Sequence, residues 1–222
     1  MKIEIRGIAK TYGRKSVLRD VHFTAESGQC VGILGSNGCG KSTLLSILAG
    51  IQKCDAGSFL YEGKDLFRYP RQRARLVGYV PQGTPLFDEL SAKDNLLLWY
   101  SGEELRKELE GGFLAMLGIG EFLKVPVHKM SGGMKKRLSI GCAIAGRPPI
   151  LLLDEPMAAL DLVCKQSILE YLRAHKKAGG ILLLVTHDLL ELELCDSWYI
   201  IKDGVSVPFR YDGNLKTVVE SL

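Results

Sequence analysis

The sequence predicts an α/β fold with a parallel sheet at its centre, and three features of the chain lead to this prediction. Residues 150–153 and 181–185 are continuous apolar runs, which are typical of parallel strands buried on both faces. Residues 30–34 form a third apolar run, and a glycine-rich segment and a helical pattern ending at Gly50 follow it. The 222 residues, of which 46% are hydrophobic, have the size and composition of one α/β domain.

Taken in order, the N-terminal part of the chain has the pattern of short strands. Residues 2–5 alternate between charged and apolar side chains, and residues 17–24 indicate a second extended segment. Tyr12 and Gly13 lie between these segments and are predicted to occupy a loop. Further along, residues 58–61 are predicted to form another strand, which ends in a turn.

The glycine-rich segment at residues 35–43 matches the phosphate-binding pattern G-x-x-x-x-G-K-[ST] at every fixed position. Its glycines let the backbone wrap around an anion, so that N–H groups and the positive end of the next helix converge on phosphate. Lys41 adds a charge for the β- and γ-phosphates, and Ser42 offers a hydroxyl to Mg²⁺. The residues predicted to bind a nucleotide are Gly35, Ser36, Asn37, Gly38, Cys39, Gly40, Lys41, Ser42 and Thr43.

The middle of the chain changes from strand to helix. Residues 76–80 predict a strand that stops at Pro81, and Gln82 follows in a segment where the chain can hinge. Residues 91–94 resemble a helix capping box, and residues 103–117 have helical spacing.

Residues 91 to about 147 are therefore predicted to form an inserted helical subdomain. Its apolar cluster belongs either to its own core or to a docking surface for another chain. The residues of this cluster are Leu96, Leu97, Trp99 and Tyr100.

Polar residues follow both apolar runs in the C-terminal half. Asp154 and Glu155 end the first run, and Thr186, His187 and Asp188 follow the second. Ligands of open α/β sheets bind at the carboxyl ends of the strands. These side chains are therefore expected to face the site that the phosphate loop makes. A further strand is predicted at residues 197–201.

Composition and charge exclude some classes of protein. No run approaches the roughly 20 apolar residues of a membrane span, and the N-terminus lacks the apolar core of a signal peptide. The net charge of +4 selects no partner. The six cysteines have no metal-site spacing, which indicates a reduced, cytosolic protein. Cys39 is interpreted as a passive spacer, with a redox role as the alternative.

The phosphate loop occurs together with Ser131-Gly132-Gly133, Asp154-Glu155, Ala159-Leu160-Asp161 and His187, in this order. The set resembles the ATP-binding-cassette (ABC) ATPases over residues 12–204. The resemblance implies a single cassette domain spanning residues 1–222. In it, a P-loop NTPase core with a parallel sheet is combined with an N-terminal antiparallel β subdomain and the inserted helical subdomain.

The resemblance also implies roles for the catalytic residues. Glu155 would polarise the attacking water, and His187 would contact the γ-phosphate. Ser42, Gln82 and Asp154 would arrange Mg²⁺ and its waters, and phosphoryl transfer requires metal charge and a water-positioning group. As alternatives, Gln82 would be a surface loop residue and His187 a structural histidine.

Other matching residues would serve the adenine ring and a facing subunit. Tyr12 would stack on adenine, with simple packing as the alternative. Ser131, Gly132 and Gly133 would reach ATP held by a second ABC subunit, so that two cassettes enclose two nucleotides. Asp161 is either part of that contact or an ordinary acid at a helix start.

The resemblance therefore predicts an ATP-hydrolysing subunit on the inner face of the cell membrane, acting through separate transmembrane subunits, with no nucleic acid bound. Met134 replaces the usual glutamine after Ser131-Gly132-Gly133, which bears on the rate of hydrolysis. Residues 134–137 are similar to the pattern in cassettes of drug and lipid exporters, and residues 135–137 are equally typical of a solvated helix face. The alternative functions are a soluble cassette ATPase acting on nucleic acid, translation or assembly, and a regulatory module without catalysis.

Overall fold

The apolar runs lie at the centre of one large sheet in the computed structural model, which describes residues 1–158, 160–186, 188–213 and 215–221. The strands are β1 (Lys2–Tyr12), β2 (Lys15–Glu26), β3 (Cys30–Leu34), β4 (Ala56–Tyr61), β5 (Lys64–Asp65), β6 (Val77–Val80), β7 (Ile150–Asp154), β8 (Ile181–Val185), β9 (Ser197–Lys202) and β10 (Val205–Phe209).

Helices occupy most of the remaining chain. The α-helices are α1 (Lys41–Ala49), α2 (Pro70–Leu76), α3 (Ala92–Leu97), α4 (Gly102–Gly111), α5 (Phe113–Met116), α6 (Gly132–Ala143), α7 (Leu162–Lys177), α8 (Leu189–Leu192) and α9 (Leu215–Ser221). Two short 3₁₀ helices span Ile119–Phe122 and Val127–Lys129. None of the helices in the described residues combines the length and the hydropathy that a bilayer span requires.

The strand order of the sheet is β5-β4-β1-β2-β10-β9-β3-β8-β7-β6. The five strands from β9 to β6 are parallel to one another, whereas β1, β2, β4 and β5 pair antiparallel. Strand β10 joins the two parts, because it pairs antiparallel with β9 and meets β2 at Val205 and Asp20. The predicted α/β class with a parallel sheet is confirmed.

Both faces of the parallel strands are covered. Leu152 and Leu183 belong to a buried cluster that contains the apolar residues of α1. Leu151 and Leu182, one position earlier on each strand, belong to a second cluster with residues of α6 and α7. Two-sided burial explains why these strands are apolar at every position. It also holds their carboxyl ends in fixed positions.

The N-terminal prediction was right about the strands and wrong about one residue. Tyr12 was expected in a loop, but it is the last residue of β1 and lies opposite Lys15 of β2. The two strands are joined by the tight turn at residues 13–14, where Gly13 has a φ of 57°. Such a turn lets the pairing continue to its edge.

Helices fill the chain between β6 and β7, as the pattern predicted. The capping box is present: Ser91 Oγ accepts the Asp94 N–H at 3.2 Å, and the Asp94 carboxylate accepts the Ser91 N–H at 3.2 Å. The helix predicted over residues 103–117 is instead interrupted at Gly112, whose backbone is extended. Glycine favours this break because it loses more conformational freedom in a helix than other residues do.

Candidate nucleotide-binding site

The phosphate loop connects β3 to α1, and two of its glycines are required by close contacts. Gly35 has a φ of 150°, and a Cβ there would lie 2.8 Å from the carbonyl oxygen of Ile201. Gly40 is the N-cap of α1 with a φ of 112°, and its Cβ would lie 2.7 Å from Leu18. Only glycine fits both positions without a shift of the surrounding chain.

Lys41, the first residue of α1, is largely buried within the loop. Its ammonium group donates to the carbonyl oxygens of Gly35 at 2.6 Å and Ser36 at 3.0 Å. An ammonium has three N–H donors, so one is available to a phosphate oxygen in addition to these two. The amides at the start of α1 add further donors, because the first turn of a helix has no intrahelical acceptors for them.

Asp154 ends β7 beside this loop and is only 2% exposed. Burial raises the pKa of its carboxyl, a hydrogen bond with Ser42 lowers it, and the neighbouring Glu155 raises it further. Within the described ranges, Asp154 Oδ2 is buried without a hydrogen-bond partner. A buried carboxylate oxygen of this kind beside a hydroxyl fits a divalent cation, which would offset the unfavourable burial.

Glu155, directly after β7, has a strained backbone. Its φ is 48°, which an L-residue adopts only at a cost of about 1–3 kcal/mol. Its N–H donates to the carbonyl of Val185 at the end of β8, at 2.9 Å. Gln82 follows β6, and its Nε2 donates to Glu155 Oε2 at 3.3 Å. The ends of β6, β7 and β8 thus bring together two residues that lie 73 positions apart in the sequence.

A further acid, Glu191, was missed by the sequence reasoning. It lies in α8, is 1% exposed, and accepts the Met157 N–H at 3.0 Å. Burial raises the pKa of Glu191 to about 7, against a hydrogen bond with Thr186 that lowers it. It therefore ties the segment after Asp154 and Glu155 to the segment after β8. A charged residue in an otherwise apolar stretch of α8 was the only signal in the sequence.

His187 lies outside the described residues, so its contact with the γ-phosphate remains a prediction. The residues on either side of it are held in place. The Asp188 N–H donates to the Thr186 hydroxyl at 2.9 Å. Asp188 also forms an ion pair of 2.6 Å with Lys165 of α7.

The predicted residues at the starts of α6 and α7 are helix caps. Ser131 accepts the Met134 N–H at 3.2 Å, and both Ser131 and Gly132 are exposed. Asp161 accepts the Cys164 N–H at 2.9 Å, and this bond lowers the pKa of Asp161. The N-cap interpretation of Asp161 is therefore confirmed, whereas a contact with a facing subunit remains a prediction.

Tyr12 presents a partly exposed ring at the end of β1. Its hydroxyl donates to the side chain of Gln52, and the ammonium of Lys10 lies 5.4 Å from the ring centroid. The residue as a whole is 44% exposed. An exposed aromatic face is what stacking on a base requires.

Comparison with known proteins identifies the family. The family model described as ABC transporter matches residues 18–158. The Nod factor export ATP-binding protein I of Sinorhizobium fredii is 37% identical over 208 residues, which are 91% of this chain and 60% of that protein. The chain thus spans about 60% of the length of this relative. The lantibiotic transport ATP-binding protein SrtF of Streptococcus pyogenes is 31% identical over 96% of this chain and 92% of that protein.

Solved structures agree. The structure of an ATP binding subunit of an ABC transporter has a TM-score of 0.88 and 28% identity, and the match covers 100% of this chain and 99% of that chain. A dimeric ATP-binding cassette in a post-hydrolysis state, bound to ADP and Pi, has a TM-score of 0.81 and 28% identity, and the match covers 94% of this chain and 99% of that chain. The chain therefore belongs to the ABC transporter family and is one of its ATP-binding cassettes, which are ATPases.

Proposed function

We propose that this chain hydrolyses ATP to drive transport through separate transmembrane subunits, working as one of a pair of cassettes. The observation that carries the proposal is the convergence of a phosphate loop with acidic and amide side chains at one edge of the sheet. The residues concerned are Lys41, Ser42, Gln82, Asp154 and Glu155.

In this proposal the phosphate loop and Lys41 hold the β- and γ-phosphates of ATP. Ser42, Asp154 and Gln82 would hold Mg²⁺, and the buried, unpartnered Asp154 Oδ2 supports this choice. Bound there, the ion would neutralise charge on the phosphate oxygens. Tyr12 would stack on the adenine ring, for which its exposed face is suited.

Glu155 would orient and polarise the attacking water. Its position at the end of β7, next to Asp154 and tied to Val185 of β8 by its N–H, supports this role. The Gln82 amide, which bonds Glu155, would set the direction of the carboxylate. His187 would contact the γ-phosphate.

The second nucleotide-binding surface would belong to a facing subunit. Ser131, Gly132 and Gly133 lie at the start of α6, where helix amides can bind an anion. The exposure of Ser131 and Gly132 supports contact with ATP held by a second cassette, and Asp161 would join that contact. Met134 still supplies its backbone N–H to the cap, so the glutamine side chain found elsewhere is not needed for the helix start.

A docking surface for the transmembrane subunits is formed by exposed apolar side chains between Gln82 and α4. Its residues are Phe87, Leu90, Leu97, Leu98 and Trp99. Phe87 is 61% and Trp99 is 64% exposed, whereas Leu96 and Tyr100 of the same cluster are buried in the core. The core interpretation therefore holds for Leu96 and Tyr100, and the exposure of Leu97 and Trp99 supports the docking interpretation for these two residues.

A buried polar side chain beneath this docking surface fixes the backbone of one of its residues. Asn95 is buried, and its side chain accepts the Phe87 N–H at 2.9 Å and donates to the Phe87 carbonyl at 3.2 Å. Exposed aromatic rings on an ordered support are typical of interaction sites. This surface supports our proposal that the protein works at the inner face of the membrane, bound to transmembrane subunits.

We further propose export as the direction of transport. Residues 134–137 are similar to the pattern in cassettes of drug and lipid exporters, and the relative from Sinorhizobium fredii is named for export. None of the relatives described above is named for nucleic acid, translation or assembly, so the comparisons offer no support for a role outside transport.

Phosphate release by the purified chain tests the catalytic part. We expect release with Mg-ATP that rises more than linearly with protein concentration, because each site needs a second copy. EDTA should abolish it, and Asp154→Asn should raise the Mg²⁺ concentration needed for half-maximal activity. Release that is linear in protein and insensitive to EDTA would contradict the proposal.

Co-purification from membranes tests the docking surface. We expect Trp99→Asp to reduce recovery of a transmembrane chain, while phosphate release by the isolated protein stays within about twofold of the wild type, because the change removes apolar interface area far from the phosphates. Met116→Asp is the matched control, since Met116 is exposed but lies outside the docking surface. Equal loss of the membrane chain with both variants would contradict the assignment.

A further inference from the structure

A buried lysine connects the helix that begins at Ser131 with the loop that carries Gln82. Lys136 lies in the second turn of α6 and is only 4% exposed. Its ammonium donates to the carbonyl oxygens of Pro81 at 2.9 Å and Gln82 at 3.4 Å. The prediction that residues 135–137 form a solvated face is therefore wrong for Lys136, because this side of the helix faces the loop after β6.

Burying an ammonium group at this contact is unfavourable. Desolvation lowers the pKa of Lys136, while the nearby carboxylates of Asp154, Glu155 and Glu191 raise it. A buried charge of this kind is weak support for stability, since apolar side chains of similar size usually stabilise a fold as well or better. We therefore look for a positional role that explains why a lysine is buried at this contact.

The loop contacts suggest what that role is. Pro81 has no N–H group, so the loop after β6 has fewer backbone donors with which to fix itself. The Lys136 ammonium donates hydrogen bonds to two consecutive carbonyls and so fixes the backbone of Gln82. From that backbone the Gln82 amide reaches Glu155 at 3.3 Å. One chain of contacts therefore runs from α6 through Lys136 and Gln82 to Glu155.

We propose that Lys136 is a positioning residue that couples the α6 helix to the Gln82 loop, so that a movement of α6 is transmitted to the amide that orients Glu155. The coupling rests on the proposed function of Gln82 and Glu155. It gives the start of α6, which would bind the nucleotide of the facing subunit, a direct mechanical link to the hydrolytic residues of its own chain. Docking of the second cassette would thus be sensed at Glu155 before hydrolysis.

Three variants of the full-length chain separate this role from simple stability. Lys136→Met removes both hydrogen bonds but keeps the length of the apolar stem. Lys136→Arg restores a cation with several donors in a fork. Lys176→Met is the matched control, because Lys176 also donates to a backbone carbonyl, that of Leu194 at 2.8 Å, but lies at the opposite end of α7 from the site.

The first readout is the split between kcat and ATP affinity. We expect Lys136→Met to lower kcat about tenfold, because the Gln82 amide is held less firmly against Glu155, with the Kd for ATP within about twofold. Lys136→Arg should recover kcat to within about threefold of the wild type. Lys176→Met should leave kcat and Kd unchanged whatever it does to the melting temperature.

The second readout is amide hydrogen exchange in a peptide covering residues 82–86. Lys136→Met should speed this exchange about tenfold, because the loop opens more often once its two carbonyls are released. Neither Lys136→Arg nor Lys176→Met should do so. This readout needs no catalysis, so it still decides the role of Lys136 if the wild type releases no phosphate and the proposed function fails.

The outcomes are distinct. Unchanged kcat and unchanged exchange in a folded Lys136→Met protein would overturn the proposal, as would an arginine variant as impaired as the methionine variant. If Lys136→Met does not fold, Lys136→Gln keeps a shorter neutral donor and the same two measurements apply to it. Slower turnover with faster loop exchange, rescued by arginine, supports the coupling.

Discussion

Two glycine-containing helix starts in this molecule differ in what surrounds them. The α1 start, residues 35–43, is enclosed by its own chain: Lys41 is buried in the loop and Asp154 lies beside Ser42. The α6 start, residues 131–133, has an exposed serine and an exposed glycine, and the Ser131 hydroxyl accepts the Met134 N–H as a local cap.

The difference shows how similar local chemistry acquires different tasks. Both segments present backbone amides and the positive end of a helix dipole. At the α1 start, the buried Lys41, the Ser42 hydroxyl and the buried Asp154 at the end of β7 lie together beside these amides. In the proposed function, the α1 start would hold phosphate with residues of its own chain, whereas the α6 start would contact the phosphate of ATP bound by a second subunit.

Glu155→Gln gives the largest effect and tests both helix starts at once. We expect kcat to fall about 1000-fold, because the amide cannot accept a proton from the attacking water. Bound ATP should then persist, and sedimentation with Mg-ATP should show a dimer held by the α6 start. A slow variant that remains monomeric at every protein concentration would break the comparison, since the α6 start would have no partner.

Glu191→Gln tests how the buried carboxyl beside the α1 site contributes to stability, through the pH dependence of the free energy of unfolding. Because burial raises the pKa of Glu191 to about 7, the folded protein holds this proton more tightly than the unfolded chain does. The carboxyl therefore contributes stability that is fully present below about pH 4.5 and is lost as the pH rises through about 7.

A neutral glutamine lacks this dependence. We expect the free energy of unfolding of Glu191→Gln, relative to the wild type, to rise by up to about 3 kcal/mol between pH 5 and pH 8. Urea unfolding at several pH values measures it. Glu193→Gln, at an exposed neighbouring position, should show no such trend. Parallel curves for all three proteins would mean that Glu191 does not titrate in this range.

Lys41→Met isolates the α1 start. We expect the Kd for ATP to rise about 100-fold, because a charge-assisted contact with the phosphates is lost. Isothermal titration calorimetry measures this Kd, and the Glu155→Gln background prevents turnover during the measurement. Affinity within threefold of the parent would show that the loop amides bind phosphate without the lysine.

Ser131→Asp gives the smallest effect and isolates the α6 start. Aspartate is a good N-cap, so the helix should persist, but its carboxylate would repel the phosphate of a second subunit. We expect kcat to fall about tenfold with the affinity of the monomer for ATP within about twofold. Ser131→Ala, which loses the cap without adding charge, separates repulsion from helix fraying. Weaker binding by the monomer would mean that the α6 start contributes to its own chain's site.

Local patterns predicted much of this site. The phosphate loop, the buried strands and the acids after β7 depend on residues close together in the sequence, and the structure forms them as expected. The capping box at Ser91 likewise depends on residues only three positions apart. By contrast, the strand β10 and the break at Gly112 were not predicted. Strand β10 pairs with the distant β2, and the helical spacing of residues 103–117 outweighed the local signal of the glycine.

The sequence by itself determined the phosphate loop, the parallel strands and the acids at the end of β7. Each depends on the identity of adjacent residues: glycines that allow unusual backbone angles, runs of apolar side chains, and charged side chains. Only the tertiary structure decided that Lys136 holds the Gln82 loop and that Glu191 holds Met157. Those contacts span 54 and 34 positions. The physical reason is that the burial and the partner of a side chain depend on which segments the sheet brings together. The spacing of nearby residues in the sequence does not contain this information.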